Sequence, residues 1–484
     1  MAEQIMITST NQKARIGIMA CGHKEYWPQF PGIKDELLKN VSVFEGYVRE
    51  SGAEVVDCRF VDTTEDAYEL GVEFKKSDID LLFVYLTTYV ASGRYMQGAL
   101  RADCPIVLVG LQRPLNLSEE FTLQAMTGAG SPCQMPEAYS AFVRCGKRPV
   151  DVLFGELYDD ERIKNNISEW CRAATAKRAF KGSIFGYMGH SYEGMLDMNF
   201  DATAVTNELG AHVRFLEMCE LVEYVESCTN AELEAKLDKI SSTFEILGKS
   251  SDPTTKDIEK SDLEWAAKVS VGLDKLVYNN GLSGFAYYYM GENNSIYERV
   301  ASNLMIGNSL MTTSGIAMSG EGDIKTCLAM YLTSALGCGG SFAELCMADF
   351  NADIVIVGHD GPHDIRISDK KPAVRGLGLM HGKKGYGVSV EFSIKPGPLT
   401  MVGISSDENG KYSLVTAEGE SQKGWVPPIG NTLTRGYFGQ NVAGFLEDWC
   451  RTGVCHHQSL AIGHCAGMVE KFGKLMGIDT IKVR

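Results

Sequence analysis

Hydrophobic positions in the first third of the chain fall in short β-branched runs separated by longer stretches with helical spacing. The runs Ile16 to Ala20, Glu54 to Val56, Asp80 to Leu86 and Ile106 to Gly110 predict strands, and Ile33 to Ser51 predicts a helix between the first two. Strands that alternate with helices imply a parallel sheet flanked by helices. Ligands of such sheets gather where strands end, so His23 and Gln112, each just past a predicted strand, are candidate site residues. A basic helical stretch near Trp170 to Lys181 leads into a second alternation: Ser183 to His190, Ala211 to Leu216, a charged helix from Asn230 to Ile246, an amphipathic helix from Ser261 to Asn279, then a strand and loop from Gly281 to Gly291. After about residue 340 the texture turns β-rich, with strands at Asp353 to Val357, Tyr386 to Ile394, Leu399 to Ile404 and Lys411 to Ala417. Closely spaced strands with Gly and Pro turns argue for an antiparallel barrel or sandwich. Helices are expected to close the chain at Gly444 to Arg451 and His457 to Met476.

A chain of 484 residues exceeds one hydrophobic core, and the pattern divides it into α/β segments at 1–180 and 181–341 and a β-rich segment at 342–484. The net charge of −16 leaves no basic field to hold a nucleic-acid backbone, so a small substrate is the better match. Apolar runs such as Leu81 to Leu86 are far below the roughly 20 residues that span a bilayer, and the polar stretch Met1 to Ala14 has no apolar core of an export signal. The 14 cysteines include no C-x-x-C pair, so they are expected to be reduced, mostly buried thiols of a cytoplasmic protein.

The densest grouping of acids and glycines is Ser319-Gly320-Glu321-Gly322-Asp323-Ile324-Lys325-Thr326. Glycines on both sides of Glu321 allow a tight turn and a close approach to a ligand; the plainer reading is a helix start whose acids favour the dipole. Lys325 is expected on the helix surface. Glu344 follows in Ser341-Phe342-Ala343-Glu344, His359 directly follows the strand Asp353 to Val357 and Gly358, and His456-His457 follow Cys455. Each histidine alone reads as structural. Together, two carboxylates and two imidazoles suit an octahedral ion that keeps positions open for substrate oxygens, and zinc is less favoured because its structural sites are tetrahedral and rich in Cys.

Gly320-Glu321-Gly322-Asp323 with Lys325-Thr326 resembles the G-E-G-D-x-K-T signature of the L-arabinose isomerase family. The S-F-x-E element, the strand ending in a histidine and the H-H pair follow in that family's order. The resemblance implies two Rossmann-like or flavodoxin-like α/β domains followed by a β-barrel, a fold that covers the whole chain. It implies a divalent metal, Mn²⁺ foremost with Co²⁺ or Mg²⁺ as alternatives, held by Glu321, Glu344, His359 and His457. It further implies Glu321 and Glu344 as the acid and base that move an aldose to a ketose through an enediolate, and a homo-oligomer, typically a hexamer, whose active sites are completed by a neighbouring subunit. His23, Gln112, Met195 and His456 are the substrate-side candidates. The chain departs from the family at Cys21-Gly22-His23, at Leu111-Gln112-Arg113-Pro114, at Leu345 and around Tyr192 to Asp197. These departures lie mostly in substrate-side loops, so the sugar is less secure than the metal set. An isomerase or epimerase of another sugar, L-fucose-like or modified, and a non-catalytic sugar-binding protein are the alternatives.

Overall fold

In a computed structural model that describes residues 12–113, 118, 121–129, 132–289, 294–380, 383–384, 387–439 and 441–483, the chain divides into two compact units, Gln12–Arg178 and Ala179–Arg484. Both faces of β1 (Arg15–Cys21) and β3 (Leu81–Leu86) are buried, as expected for inner strands of a parallel sheet covered on both sides. Together with β2 (Glu54–Val61), β4 (Ile106–Gln112) and β5 (Asp151–Glu156) they form a parallel sheet in the order β2-β1-β3-β4-β5. Crossover helices α1 (Ile33–Glu50) and α2 (Thr64–Lys76) bury Leu37, Phe44, Leu70 and Phe74. The Thr63 side chain caps α2 by accepting from Asp66 N.

The second unit opens with a four-stranded parallel sheet: β6 (Ile184–Met188), β7 (His212–Leu216), β8 (Gly284–Tyr287) and β9 (Ala317–Ser319), in the order β9-β8-β6-β7. Helix α3 (Lys260–Asn280) packs Val269, Leu273 and Leu276 into its core. Helices α4 (Met305–Thr313) and α5 (Ile324–Ala335) are buried along most of their length. The same unit then builds an antiparallel barrel of six strands: β10 (Ser341–Asp349), β11 (Ile354–His359), β13 (Gly397–Ser406), β14 (Tyr412–Gln422), β15 (Thr432–Tyr437) and β16 (His457–Ile462). Their ladders close in the order β14-β13-β16-β10-β11-β15 and back to β14. Strand β12 (Val388–Ser393) and the short strands Ala373–Leu377 and Glu245–Leu247 extend the sheet beyond β15. Val357, Leu399, Met401, Val415 and Leu460 fill the barrel. The α/β sheets and the C-terminal barrel are thus the architecture read from the sequence, with the barrel rather than the sandwich realised.

Two expected elements differ. His457 to Met476 is a buried strand over His457–Ile462 followed by a helix over Ala466–Met476. The strand lies between β10 and β13 and is hydrogen-bonded on both edges, so ladder formation outweighs local helical preference. The helix from Asn230 ends at Thr243, and Glu245–Leu247 pairs in parallel with Ala373–Leu377. None of the 14 cysteines is in a disulfide, but Cys133, Cys145, Cys219, Cys346 and Cys450 are exposed, so burial of thiols is less general than expected. Pro114, Tyr386 and Gly291 lie outside the described residues. Among the described residues no helix is long and apolar enough to cross a membrane.

Where the chain leaves β11, His363 is fully buried against Phe392, and its backbone N–H donates to Ser309 Oγ at 3.2 Å. Burial pushes its pKa down to about 3, so the fold holds the neutral ring while the unfolded chain titrates near ~6.5. Stability from this group is complete above the unfolded value and is lost as pH falls from there toward 3, at roughly 1.4 kcal/mol per pH unit. Urea unfolding of the His363→Gln variant is expected to show a shallower loss between pH 6.5 and 4.5 than the parent chain. Equal slopes would assign the acid sensitivity to other groups.

Candidate metal centre

Strand β9 delivers the chain into Gly320-Glu321-Gly322-Asp323 at the carboxyl end of the central sheet, directly before α5. Glu321 takes a left-handed conformation, φ 58°, which costs a residue with a Cβ roughly 1–3 kcal/mol and is held only where surroundings enforce it. Three backbone contacts enforce it here. Tyr192 N–H donates to Glu321 O at 3.0 Å, Gly322 N–H donates to Tyr287 O at 2.9 Å, and Ser191 Oγ donates to Gly322 O at 3.2 Å. Gly322 has φ 73°, and a Cβ there would meet His190 O at 2.6 Å, so only glycine lets the loop after β6 lie against the turn. The buried Glu321 carboxylate is thereby aimed at the barrel strands.

His359 ends β11 and His457 begins β16, the strands that flank β10 on its two sides. Glu321 Oε1 lies 4.0 Å from His359 Nε2, and Oε2 lies 3.8 Å from His457 Nε2. One ligand atom from each of the three falls within 4.8 Å of the others, and all three residues are buried. A cavity of about 20 Å³, bordered by Glu321, His359, Asp360, Tyr287 and Tyr289, adjoins them. That is on the order of one water, enough for an ion.

Each imidazole is held by its far nitrogen. His359 Nδ1 lies 2.8 Å from Asp360 Oδ1, and His457 Nδ1 lies 3.1 Å from Asp323 Oδ2. A carboxylate on Nδ1 fixes ring orientation and tautomer and leaves the Nε2 lone pair for a cation, the arrangement that metal-binding histidines almost always have. His457 Nε2 is buried without a hydrogen-bond partner, a cost that a bound ion would remove. Burial, reinforced by the neighbouring imidazoles, lowers the His457 pKa to about 4 against the pull of Asp323, so this ring is neutral and ready to ligate. Burial also opposes protonation of His359, but Asp360, Glu344 and Glu321 outweigh it and lift the pKa to about 9, the mark of a site with an excess of negative charge. One anion and two imidazoles, each backed by an acid, fit a divalent cation.

The fourth sequence candidate stands apart. Glu344 is half-buried on β10, opposite His457 on one neighbouring strand and Gly358 on the other. Its charge is felt at His359, but it is not in the group of three within 4.8 Å. His456 turns aside, with Nδ1 2.7 Å from Asp197 Oδ2. Met195 is half-buried in the loop after β6, its N–H donating to Tyr192 O at 3.3 Å. His23 and Gln112 belong to the N-terminal unit. His23 follows β1, with Nδ1 3.2 Å from Glu25 Oε2, and Gln112 ends β4 in register with Glu156.

Several participants were not singled out from sequence. Asp323 proves to be both the N-cap of α5, accepting from Thr326 N at 3.0 Å, and the partner of His457. Asp360 and Asp197 each hold a histidine, and Tyr192 and Tyr289 face each other with ring centroids 6.0 Å apart beside the Glu321 turn. Lys325 is buried rather than on the helix surface, with its Nζ donating to Asp197 O. The usable signal was the acid next to His359 and the acid two residues after Glu321.

Residues 198–339 match the family model of the L-arabinose isomerase central domain. The chain is 21 % identical over 335 residues to an L-arabinose isomerase of Clavibacter sepedonicus, covering 67 % of this chain and 64 % of that protein. It is 22 % identical over 346 residues to one of Herpetosiphon aurantiacus, covering 69 % and 66 %. The chain therefore spans just under two thirds of the length of these relatives. A sulfoquinovose isomerase of Alkalicoccus urumqiensis aligns at 18 % identity over 405 residues, covering 83 % of this chain and 85 % of that protein. The G-E-G-D turn thus lies inside the segment that matches the L-arabinose isomerase central domain, and over a longer stretch the chain is similar to L-arabinose isomerases and to a sulfoquinovose isomerase.

Proposed function

We propose that this protein is a divalent-metal-dependent sugar isomerase that converts an aldose to a ketose, with the ion held by Glu321, His359, His457 and Glu344. The observation that carries the reading is the pair of imidazoles whose Nδ1 atoms rest on Asp360 and Asp323 while both Nε2 atoms face Glu321. Mn²⁺ is the proposed ion, with Co²⁺ or Mg²⁺ as alternatives. When bound, the ion supplies Lewis acidity toward the oxygens on C1 and C2 of the sugar. The chain's own residues do the rest. Glu344, half-buried and set back from the close group of three, takes the proton from C2 and returns it at C1, while Glu321 handles the hydroxyl proton. Asp197 keeps His456 turned toward the loop after β6, at the edge where Tyr192 and Tyr289 offer flat faces to a sugar ring. The reading includes a cytoplasmic homo-oligomer, a hexamer, in which a neighbouring subunit completes each site and His23 and Gln112 contact the substrate.

L-Arabinose is one candidate substrate. The sulfoquinovose isomerase similarity runs over more of both chains, which favours a modified hexose as a second reading, and the departures at Cys21-Gly22 and Leu111 to Pro114 point the same way. A site built to pair one set of hydroxyls rejects another because its buried polar groups go unmatched.

Chelated protein given Mn²⁺, Co²⁺ or Mg²⁺ singly is expected to regain ketose formation on a panel of L-arabinose, D-galactose, L-fucose and sulfoquinovose, with L-arabinose not the best substrate. Undiminished activity after chelation would remove the metal from the reading, and a binder without turnover would leave ketose absent on every sugar. Glu321→Gln, Glu344→Gln, His359→Asn and His457→Asn are each expected to lower kcat by roughly 100-fold or more with the fold intact by circular dichroism; activity surviving any two of them refutes the assignment. Asp360→Ala is expected to weaken metal binding about 10- to 100-fold by calorimetry, and Gly322→Ala to weaken it as well by displacing the Glu321 turn. Light scattering that finds an active monomer would overturn the oligomer.

A further inference from the structure

Strand β12 pairs with β15 in parallel only at Phe392↔Thr432 and Ser393↔Leu433. Beside this short seam lies a cavity of about 490 Å³ that shares no lining residue with the one at the metal centre. Its floor is apolar: Phe392, Ile394 and Leu433 are buried. Its walls carry Lys370, Lys371, Lys423 and Arg435 against Glu245 and Asp369. Among the described residues none of these four cations forms an ion pair. Such a cluster is unusual on a chain of net charge −16, because unpaired like charges in one concavity repel.

Arg435 is the fixed element. Its Nε is buried and has no hydrogen-bond partner. The side chain lies so close to Gly424 that a Cβ there would meet Arg435 Cδ at 2.5 Å and Nε at 2.6 Å. Arg375, two strands away in the same sheet, shows the usual state: Nε and Nη2 pair with Glu391 at 2.6 and 2.7 Å. A desolvated guanidinium N–H with no acceptor is costly, and a planar fork held in place matches a tetrahedral oxyanion.

We propose that this cavity binds a small organic phosphate ester. The phosphate sits at Arg435 among the three lysines, and the carbon body covers Phe392, Ile394 and Leu433. Four cations exceed the two acids by two, which a phosphate monoester dianion neutralises. The volume lies within the range of small-molecule pockets, and the apolar floor selects an ester over the free ion.

Calorimetry on the full-length, metal-loaded protein tests it with phenyl phosphate, inorganic phosphate and phenol. Phenyl phosphate has no carbonyl, so the outcome is independent of the isomerase reading. It is expected to bind more tightly than inorganic phosphate, weakening as salt rises, while phenol does not bind. Arg435→Gln is expected to weaken it at least about tenfold, and Lys423→Gln to weaken it by a smaller factor should the arginine variant fold poorly. Both variants keep the parent's ketose-forming rate. The proposal is overturned if phenyl phosphate does not bind, if inorganic phosphate binds equally well, if both variants bind as the parent does, or if chelation abolishes binding and so places the phosphate on the metal.

Discussion

Everything at the candidate centre depends on one constraint: a carboxylate and two imidazoles that are far apart in sequence must bring their donor atoms within 4.8 Å inside a buried setting. Left to themselves, three such groups resist the arrangement, because each loses hydration and gains no hydrogen bond to the others. The protein meets the cost with groups that act on the opposite ends of the same residues. Backbone hydrogen bonds hold Glu321 in its left-handed turn, Asp360 holds His359, and Asp323 holds His457. The fully buried Asp323 is itself satisfied by Thr326 and by the thiol of Cys455, whose Sγ lies 3.2 Å from Oδ2. The result is a rigid cradle whose inner donor atoms face one another across a few ångströms, an arrangement that suits a cation.

The fold explains how this is possible. The central parallel sheet presents its strand ends, where loops can carry polar groups out of the core, and the barrel contributes β11, β10 and β16 side by side. Hydrogen bonding along both edges of β10 sets the register that puts Glu344 opposite His457. A slip of one residue would turn every side chain to the other face, so the barrel ladder is as much a part of the site as the residues that line it. The loop after β6 then closes over the turn through Ser191, Tyr192 and Asp197.

The groups of the candidate centre sit on strands and at a helix start, which hold them stiffly, whereas Tyr192, Met195 and His456 are carried by loops or by a strand margin and can change at lower cost to stability. The cationic cavity beside β12 follows a different logic, an apolar floor with a charged wall, and lies in the part of the barrel sheet that extends past the closed ring.

By itself the sequence determined the elements whose signal is local. Runs of β-branched residues separated by amphipathic stretches gave the two α/β sheets, and the glycine-flanked Glu321 marked a tight turn at a helix start. The set Glu321, Glu344, His359 and His457 came from an order of motifs that resembles a family and not from local signal, and the structure brings Glu321, His359 and His457 within 4.8 Å of one another. What the sequence did not determine were properties of long-range pairing. Residues His457–Ile462 have no local mark of a strand and become one because β10 and β13 offer both edges. Lys325 has the spacing of a surface helix residue and is buried because the loop carrying Asp197 lies over it. Asp323 and His457 are 134 residues apart, and nothing in either neighbourhood says which nitrogen of the ring will be taken by an acid and which left open. Only the tertiary structure decided that, because the direction of a lone pair is set by the hydrogen bond on the opposite side of the ring, and that bond exists only once the barrel has closed.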